Sequence, residues 1–128
     1  MDTISNFIIK LKNANFAQHE SVSVSYSKLK EAICEVLKKE SFIKNFENKS
    51  DKGKPILYVS LISENRNPKI NGVKRISKPS KRVYAKSDEI RPVKNGYGAL
   101  IMSTSAGVMT GKEAKKQKLG GEMLFQIW

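Results

Sequence analysis

Ala99-Leu100-Ile101-Met102-Ser103-Thr104-Ser105-Ala106-Gly107-Val108-Met109-Thr110-Gly111-Lys112-Glu113 is the stretch on which the second half of the chain turns. Four apolar residues in a row, 99–102, have the length of a buried strand. Small hydroxyl residues closed by Gly107 follow, and 103–107 reads as a turn that lets backbone and hydroxyls approach a ligand unobstructed. Val108 and Met109 make a short return. Thr110-Gly111-Lys112-Glu113 has the spacing of a capping box, with the threonine accepting from first-turn amides and Glu113 reaching back. The helix it opens is short and basic, with Lys112, Lys115, Lys116 and Lys118. Gly120-Gly121 should end it, since glycine enters the left-handed cap conformation cheaply. Residues 122–128 form a last strand with Met123, Phe125 and Ile127 on one face. A hydroxyl turn, a glycine pair and several lysines so close together suit a polyanion.

Upstream of this unit the pattern is one of short strands and turns. Residues 69–77 contain Ile70, Val73 and Ile76, with Gly72 as a possible bulge. Lys78-Pro79-Ser80 turns the chain, 82–85 is another short strand, and 88–96 is a loop carrying Pro92. Lys74, Arg75, Lys78, Lys81 and Arg82 therefore gather around one turn, followed at once by Tyr84. Lysine and arginine supply phosphate contacts and affinity, and an exposed aromatic can stack on an unpaired base. The ordinary alternative for Tyr84 is a half-buried strand residue.

The first half reads differently. Ile4, Phe7, Ile8, Leu11 and Ala14 fall at helical spacing, with Asp2 or Thr3 as the cap. Residues 21–26 alternate strictly, which predicts a strand. Ser27 can cap a second helix with an apolar stripe of Leu29, Ala32, Ile33, Val36 and Leu37, and Cys34 beside it as a small buried residue. Residues 43–47 and 56–62 read as strands joined by a polar loop, 48–55. The polar segment 64–68, ending in a proline, is the best domain boundary. The expected fold class is α+β with two small domains. Residues 1–65 form an α-β-α-β-β packing layer, and residues 66–128 form a β-rich domain with one short helix.

Charge follows the same division. The chain of 128 residues carries a formal +12. Residues 1–65 hold 10 Lys and no Arg against 8 acids, a net of +2; residues 66–128 hold 14 Lys and Arg against 4 acids, a net of +10. A charge needed only for solubility would not be so one-sided, so the second half is the one expected to face nucleic acid. One cysteine excludes an internal disulfide and a cysteine-rich zinc site. No apolar run reaches the length of a membrane span, and residues 1–3 lack the features of a secretion signal, so no membrane partner and an intracellular location are expected.

Chemistry fares poorly. His19 is the lone histidine and sits in a polar loop. Asp88, Glu89, Glu113 and Glu122 could in principle hold magnesium for a nuclease. Glu113 is accounted for by capping, however, and no phosphate-cradling glycine loop is present. No catalytic residue, metal ligand, cofactor or small-molecule substrate is expected.

Gly98, Ser103-Thr104-Ser105, Gly107, Thr110, Ala114 and Gly120-Gly121-Glu122 stand at the spacing of the eighth family of small-subunit ribosomal proteins. The resemblance extends to residues 4–15 with their Lys12-Asn13-Ala14-Asn15 end, to Lys74-Arg75-Ile76-Ser77-Lys78-Pro79, to Arg82-Val83-Tyr84 and to Trp128. It implies a two-domain α+β protein that binds an internal helix in the central domain of small-subunit rRNA, supports subunit assembly and touches neighbouring ribosomal proteins. Carried over, it implies that Ser103, Thr104, Ser105, Gly121 and Glu122 meet the RNA minor groove and that Tyr84 packs on a displaced base. Lys74, Lys78, Lys81, Arg82, Gly107 and Lys112 complete the expected RNA-binding set. Ser80, Gly111 and Lys115 depart from the usual glycine, acid and arginine, which bears on one turn and one phosphate contact. The expected location is cytoplasmic and ribosome-associated, with an organellar ribosome also compatible. The competing reading is a free-standing regulatory RNA binder that represses translation of an mRNA.

Overall fold

Two local rules, a helical stripe and strand alternation, account for most elements of the computed structural model, which describes residues 3–64, 67–93 and 98–128. In the first unit, Thr3–Asn71, helix α1 (Thr3–Phe16) buries Ile4, Phe7, Ile8, Leu11 and Ala14, as its spacing requires. The Asp2 alternative for its cap lies outside the described residues. Asn15 is also buried, because its side chain bridges two backbone segments: Nδ2 donates to the Ile62 carbonyl and Oδ1 accepts from the Ile70 N–H, both at 2.8 Å. Strand β1 (Ser21–Ser25) leads to α2 (Lys28–Lys39), where Ser27 Oγ accepts from the Lys30 N–H at 3.1 Å.

The buried face of α2 is Lys30, Ile33, Cys34 and Leu37, which keeps Ile33 and Leu37 of the expected stripe, leaves Ala32 and Val36 half-buried and adds Lys30. Leu29 is exposed and Cys34 lies at the centre of the face. Lys30 can join the buried face because its ammonium is satisfied there, donating to the Ser25 carbonyl and hydroxyl. The expected 48–55 loop is also overturned. Strands β2 (Ile43–Asp51) and β3 (Lys54–Leu61) run as one long hairpin through it. Lys52 and Gly53 have φ of 51° and 80°, and two positive φ values are what a tight two-residue hairpin turn demands. Polar composition here reflects an exposed ribbon, not a loop. The sheet order is β1-β3-β2, all antiparallel. Strands β4 (Ser63–Glu64) and β5 (Asn67–Pro68) pair with each other within the segment expected as a boundary, of which Asn65 and Arg66 lie outside the described residues.

The second unit, Gly72–Trp128, is built on one antiparallel sheet. Its strands are β6 (Val73–Arg75), β7 (Tyr84–Ala85), β8 (Ala99–Thr104), β9 (Gly107–Thr110) and β10 (Gly121–Ile127), with helix α3 (Gly111–Lys116) following β9. Strand β10 is central: it pairs with β8 on one side and with β6 and then β7 on the other. Ala85, Ile90, Val93, Leu100, Met102, Met109 and Ala114 form a core, with Ile76, Leu119, Met123 and Trp128 packed against it. Fold class thus agrees with the sequence: mixed α and β, with a short helix in a β-rich second half.

Four local expectations change here. Gly72 is not a bulge; the strand starts at Val73, and a Cβ on Gly72 would lie 2.6 Å from the Trp128 indole. Gly72 and Trp128 exchange backbone hydrogen bonds at 3.0 Å in both directions. The loop 88–96 contains a 3-10 turn at Ser87–Glu89, and its Lys94–Gly96 end lies outside the described residues. The left-handed residue after α3 is Lys118, with φ 58°, not a glycine. Finally, β10 does not alternate strictly. Its register shifts between Met123 and Phe125, and Leu124 and Phe125 are both buried.

Candidate nucleic-acid interface

Register across the sheet assembles the site. Glu122 of β10 lies opposite Tyr84 of β7 and opposite Ser103 of β8. Directly opposed residues on neighbouring strands share a face, and adjacent residues on one strand do not. Tyr84, Glu122 and Ser103 therefore form one row, facing away from the core that holds Met102, Met123 and Ala85. Tyr84 is 68% exposed, which rules out the half-buried alternative. Arg82, two residues before Tyr84, donates from Nη1 to Glu122 Oε2 at 3.1 Å.

The glycine pair makes this row narrow. A Cβ on Gly121 would collide with the Ser103 carbonyl, and one on Gly120 would lie 2.8 Å from the Ala85 carbonyl. Only bare backbone lets β7 and β8 flank β10 so closely. These are close-approach glycines, since neither has positive φ.

Ser103 and Thr104 belong to β8 rather than to the turn, which is confined to Ser105-Ala106 and closed by Gly107 at φ 112°. The Thr104 hydroxyl is used within it, donating to the Gly107 carbonyl at 2.9 Å and accepting from the Ala106 N–H at 3.2 Å. Thr104 shapes the turn, and the exposed Ser105 is presented by it.

Lys78 and Lys81 are exposed on a turn closed by their mutual backbone bonds at 2.9 and 3.0 Å. They join Arg82 beside the row. Lys74 is exposed on β6, opposite Gln126 and well along β10 from Glu122. Arg75 turns its guanidinium to the Leu124 carbonyl. Lys112 is exposed on α3, whose Ala114 packs into the core on the other face of the sheet. The capping threonine behaves as expected: Thr110 Oγ1 accepts from the Glu113 N–H at 3.1 Å. Glu113 also accepts from Gln117 Nε2 at 2.9 Å. Sequence reasoning gave no role to Ser77, which is fully buried and bonds twice through its hydroxyl to Val83. A lone serine beside a lysine carries no signal of that kind.

What this arrangement offers is a hydroxyl, a carboxylate and an exposed ring in line, flanked by ammonium groups. It has no proton-transfer pair and, among the described residues, no group of three or more His, Cys, Asp or Glu that could hold a metal. His19 is exposed in the first unit.

The family pattern named Ribosomal protein S8 matches residues 2–128. The chain is 46% identical over 128 residues to small ribosomal subunit protein uS8 of Leuconostoc mesenteroides, covering 99% of this chain and 97% of that one. Against the protein of the same name from Pediococcus pentosaceus the identity is 48%, with the same coverage. Against that of Bdellovibrio bacteriovorus it is 44% over 129 residues, covering all of both.

Proposed function

The chain belongs to the Ribosomal protein S8 family, small-subunit ribosomal proteins and not enzymes, and from that premise we propose that it binds an internal helix of the central domain of small-subunit rRNA and supports subunit assembly. The observation that carries this reading is the row Tyr84–Glu122–Ser103, with Arg82 on Glu122 and a basic turn beside it. A wide, shallow RNA minor groove displays 2′-hydroxyls and base edges. Ser103, Ser105 and the bare backbone at Gly121 are small enough to enter it, and Glu122 accepts hydrogen bonds there. Tyr84 stacks on a base displaced from the helix. Lys78 and Lys81 take phosphates, whereas Lys74, in register with the core residue Leu100 through Gln126, and Lys112 on α3 lie toward the other face of the sheet. Thr104 and Gly107 hold the turn in shape.

The two halves divide the work. Residues 66–128, at +10, carry recognition, and residues 1–65, at +2, pack toward neighbouring ribosomal proteins. The protein works on the ribosome, in the cytoplasm of a bacterium. Sedimentation tests this reading: the protein should travel with small subunits and protect a central-domain rRNA helix from nuclease. Free protein at the top of the gradient, bound to an mRNA instead, would establish the regulatory alternative.

A further inference from the structure

Residues 73–85 run antiparallel along β10 with a single interruption. Strand β6 pairs Val73 to Arg75 with Ile127 to Phe125. The Ile76 N–H then donates to the Leu124 carbonyl at 3.1 Å, and the Ser77 N–H to the Met123 carbonyl at 3.2 Å. There the chain leaves the sheet. It rejoins at Val83, whose carbonyl accepts from the Met123 N–H at 2.8 Å, and β7 continues against Glu122 and Gly121. The excursion, 78–82, carries Lys78, Lys81 and Arg82, and its two ends meet the same residue of β10.

One hydroxyl closes the neck of that excursion. Ser77 Oγ accepts from the Val83 N–H at 2.9 Å and donates to the Val83 carbonyl at 3.2 Å. Ser77 is completely buried, so water cannot replace these bonds. A hydroxyl is the smallest side chain able to donate and accept at once, and both capacities are used here. Val83 sits between Arg82 and Tyr84, and Met123 follows Glu122. A shift at the neck therefore moves the guanidinium, the ring and the carboxylate relative to one another.

We propose that Ser77 is the positioning residue of the RNA-facing row: it touches no RNA, but its hydroxyl fixes the basic excursion and Tyr84 in register with Glu122. This rests on the reading that the row binds rRNA. It predicts a particular kind of defect. Loss of the hydroxyl should leave the charges present and exposed, and so leave general attraction to RNA intact. It should blur the geometry that distinguishes one RNA from another, because phosphate contacts supply affinity and base and groove contacts supply selectivity.

The experiment compares full-length wild type, Ser77→Ala and Ser77→Thr. Each is titrated with a central-domain fragment of small-subunit rRNA and with an unrelated RNA duplex of equal length, at several salt concentrations. For Ser77→Ala, binding to the rRNA fragment should weaken roughly ten-fold, as expected for losing a buried hydrogen bond. Its affinity for the unrelated duplex and the salt slope of that binding should stay unchanged. Ser77→Thr, which keeps the hydroxyl, should recover most of the selectivity. A folded Ser77→Ala with the wild-type selectivity ratio overturns the proposal. If Ser77→Ala does not fold, Ser77→Cys replaces it, since a thiol keeps the side chain small but bonds weakly; undiminished selectivity in that variant overturns the proposal equally. Wild type with no preference for the rRNA fragment would instead sink the rRNA reading. The role of Ser77 then stands or falls on hydrogen exchange of the Val83 amide, which must be slow in wild type if the neck is closed.

Discussion

The guanidinium of Arg82 lies 3.1 Å from the carboxylate of Glu122 and so ties the end of the basic excursion to the middle of the Tyr84–Glu122–Ser103 row. The arginine side chain is 47% exposed and the carboxylate 17%, so solvent screens the pair. Such a contact adds only about 0–1 kcal/mol to stability. It offsets the Glu122 charge beside the exposed Lys78 and Lys81 and fixes one carboxylate oxygen toward Arg82.

Lys81 and Arg82 are neighbours in sequence, yet their substitutions should behave differently. Lys81→Ala removes an exposed ammonium and should lower the salt slope of RNA binding by roughly 0.7–0.9 per lost phosphate contact, with preference among RNAs kept. Arg82→Ala leaves Glu122 unanchored and should reduce selectivity as well as affinity. Filter binding across a salt series on cognate and unrelated RNAs checks both. Identical slopes and preferences for the two variants would remove the distinction.

Tyr84 projects from a two-residue strand and is mostly exposed, so the fold owes little to its ring. Tyr84→Ala should change stability by no more than about 0.5 kcal/mol, while costing about 1–3 kcal/mol in RNA binding through lost stacking. Tyr84→Phe should be nearly silent in both. Melting curves and dissociation constants for the three proteins separate the two effects. A phenylalanine variant as weak as the alanine one would mean that the hydroxyl, not the ring face, is what the RNA uses.

What can be read from sequence is whatever a local period or a charge count encodes. The stripe of α1, the alternation of β1 and the Ser27 and Thr110 caps are such signals, and all appear in the fold. The turn end of the β2–β3 ribbon, 48–55, reads as a loop because every residue there is exposed and has no apolar period to show, although β3 alternates strictly from Leu57 on. The α2 face keeps Ile33 and Leu37 of its stripe but also takes in Lys30, because a lysine satisfied by Ser25 can be buried, which a hydropathy pattern does not anticipate. At the candidate interface, residue types are legible but not their alignment. Which of Ser103 and Thr104 faces Glu122 depends on pairing between strands far apart in sequence, and the closed neck at Ser77 and Val83 follows from the same pairing.

The glycine at 121 should be the least replaceable of those in the second unit. A Cβ there meets the Ser103 carbonyl and comes within 3.1 Å of its carbon, so backbone and not a flexible side chain would have to move. Gly121→Ala should destabilise by roughly 1–3 kcal/mol, in the range of overpacked sites. It should also weaken RNA selectivity, because β8 and β10 must separate. Gly107→Ala meets nothing within 4 Å but inherits a φ of 112°, so its cost is conformational alone, on the order of 1 kcal/mol. Urea unfolding of both variants gives the order. A Gly121→Ala protein as stable as wild type would show that the close approach of the two strands is absent in solution.

Cys34 has no solvent exposure in the first unit, and burial pushes its thiol from 9.0 up to about 12, with the charge of Glu31 adding to the effect. The thiolate is the reactive form. Iodoacetamide at neutral pH should therefore leave the native protein unmodified and label it readily in urea. The sign of the pH effect follows from which state holds the proton. Below pH 9 the thiol is neutral in both folded and unfolded chains and contributes nothing. Between about 9 and 12 only the unfolded chain releases it, so stability falls as pH rises, by up to about 1.4 kcal/mol per pH unit from this group. Lysines and tyrosines titrate in the same range, so the quantity to measure is the difference between wild type and Cys34→Ala. The variant should be less stable at pH 8, having lost buried volume, and the gap should narrow steadily toward pH 11. A gap that stays constant over that interval would mean that Cys34 ionises as freely in the folded chain as in the unfolded one.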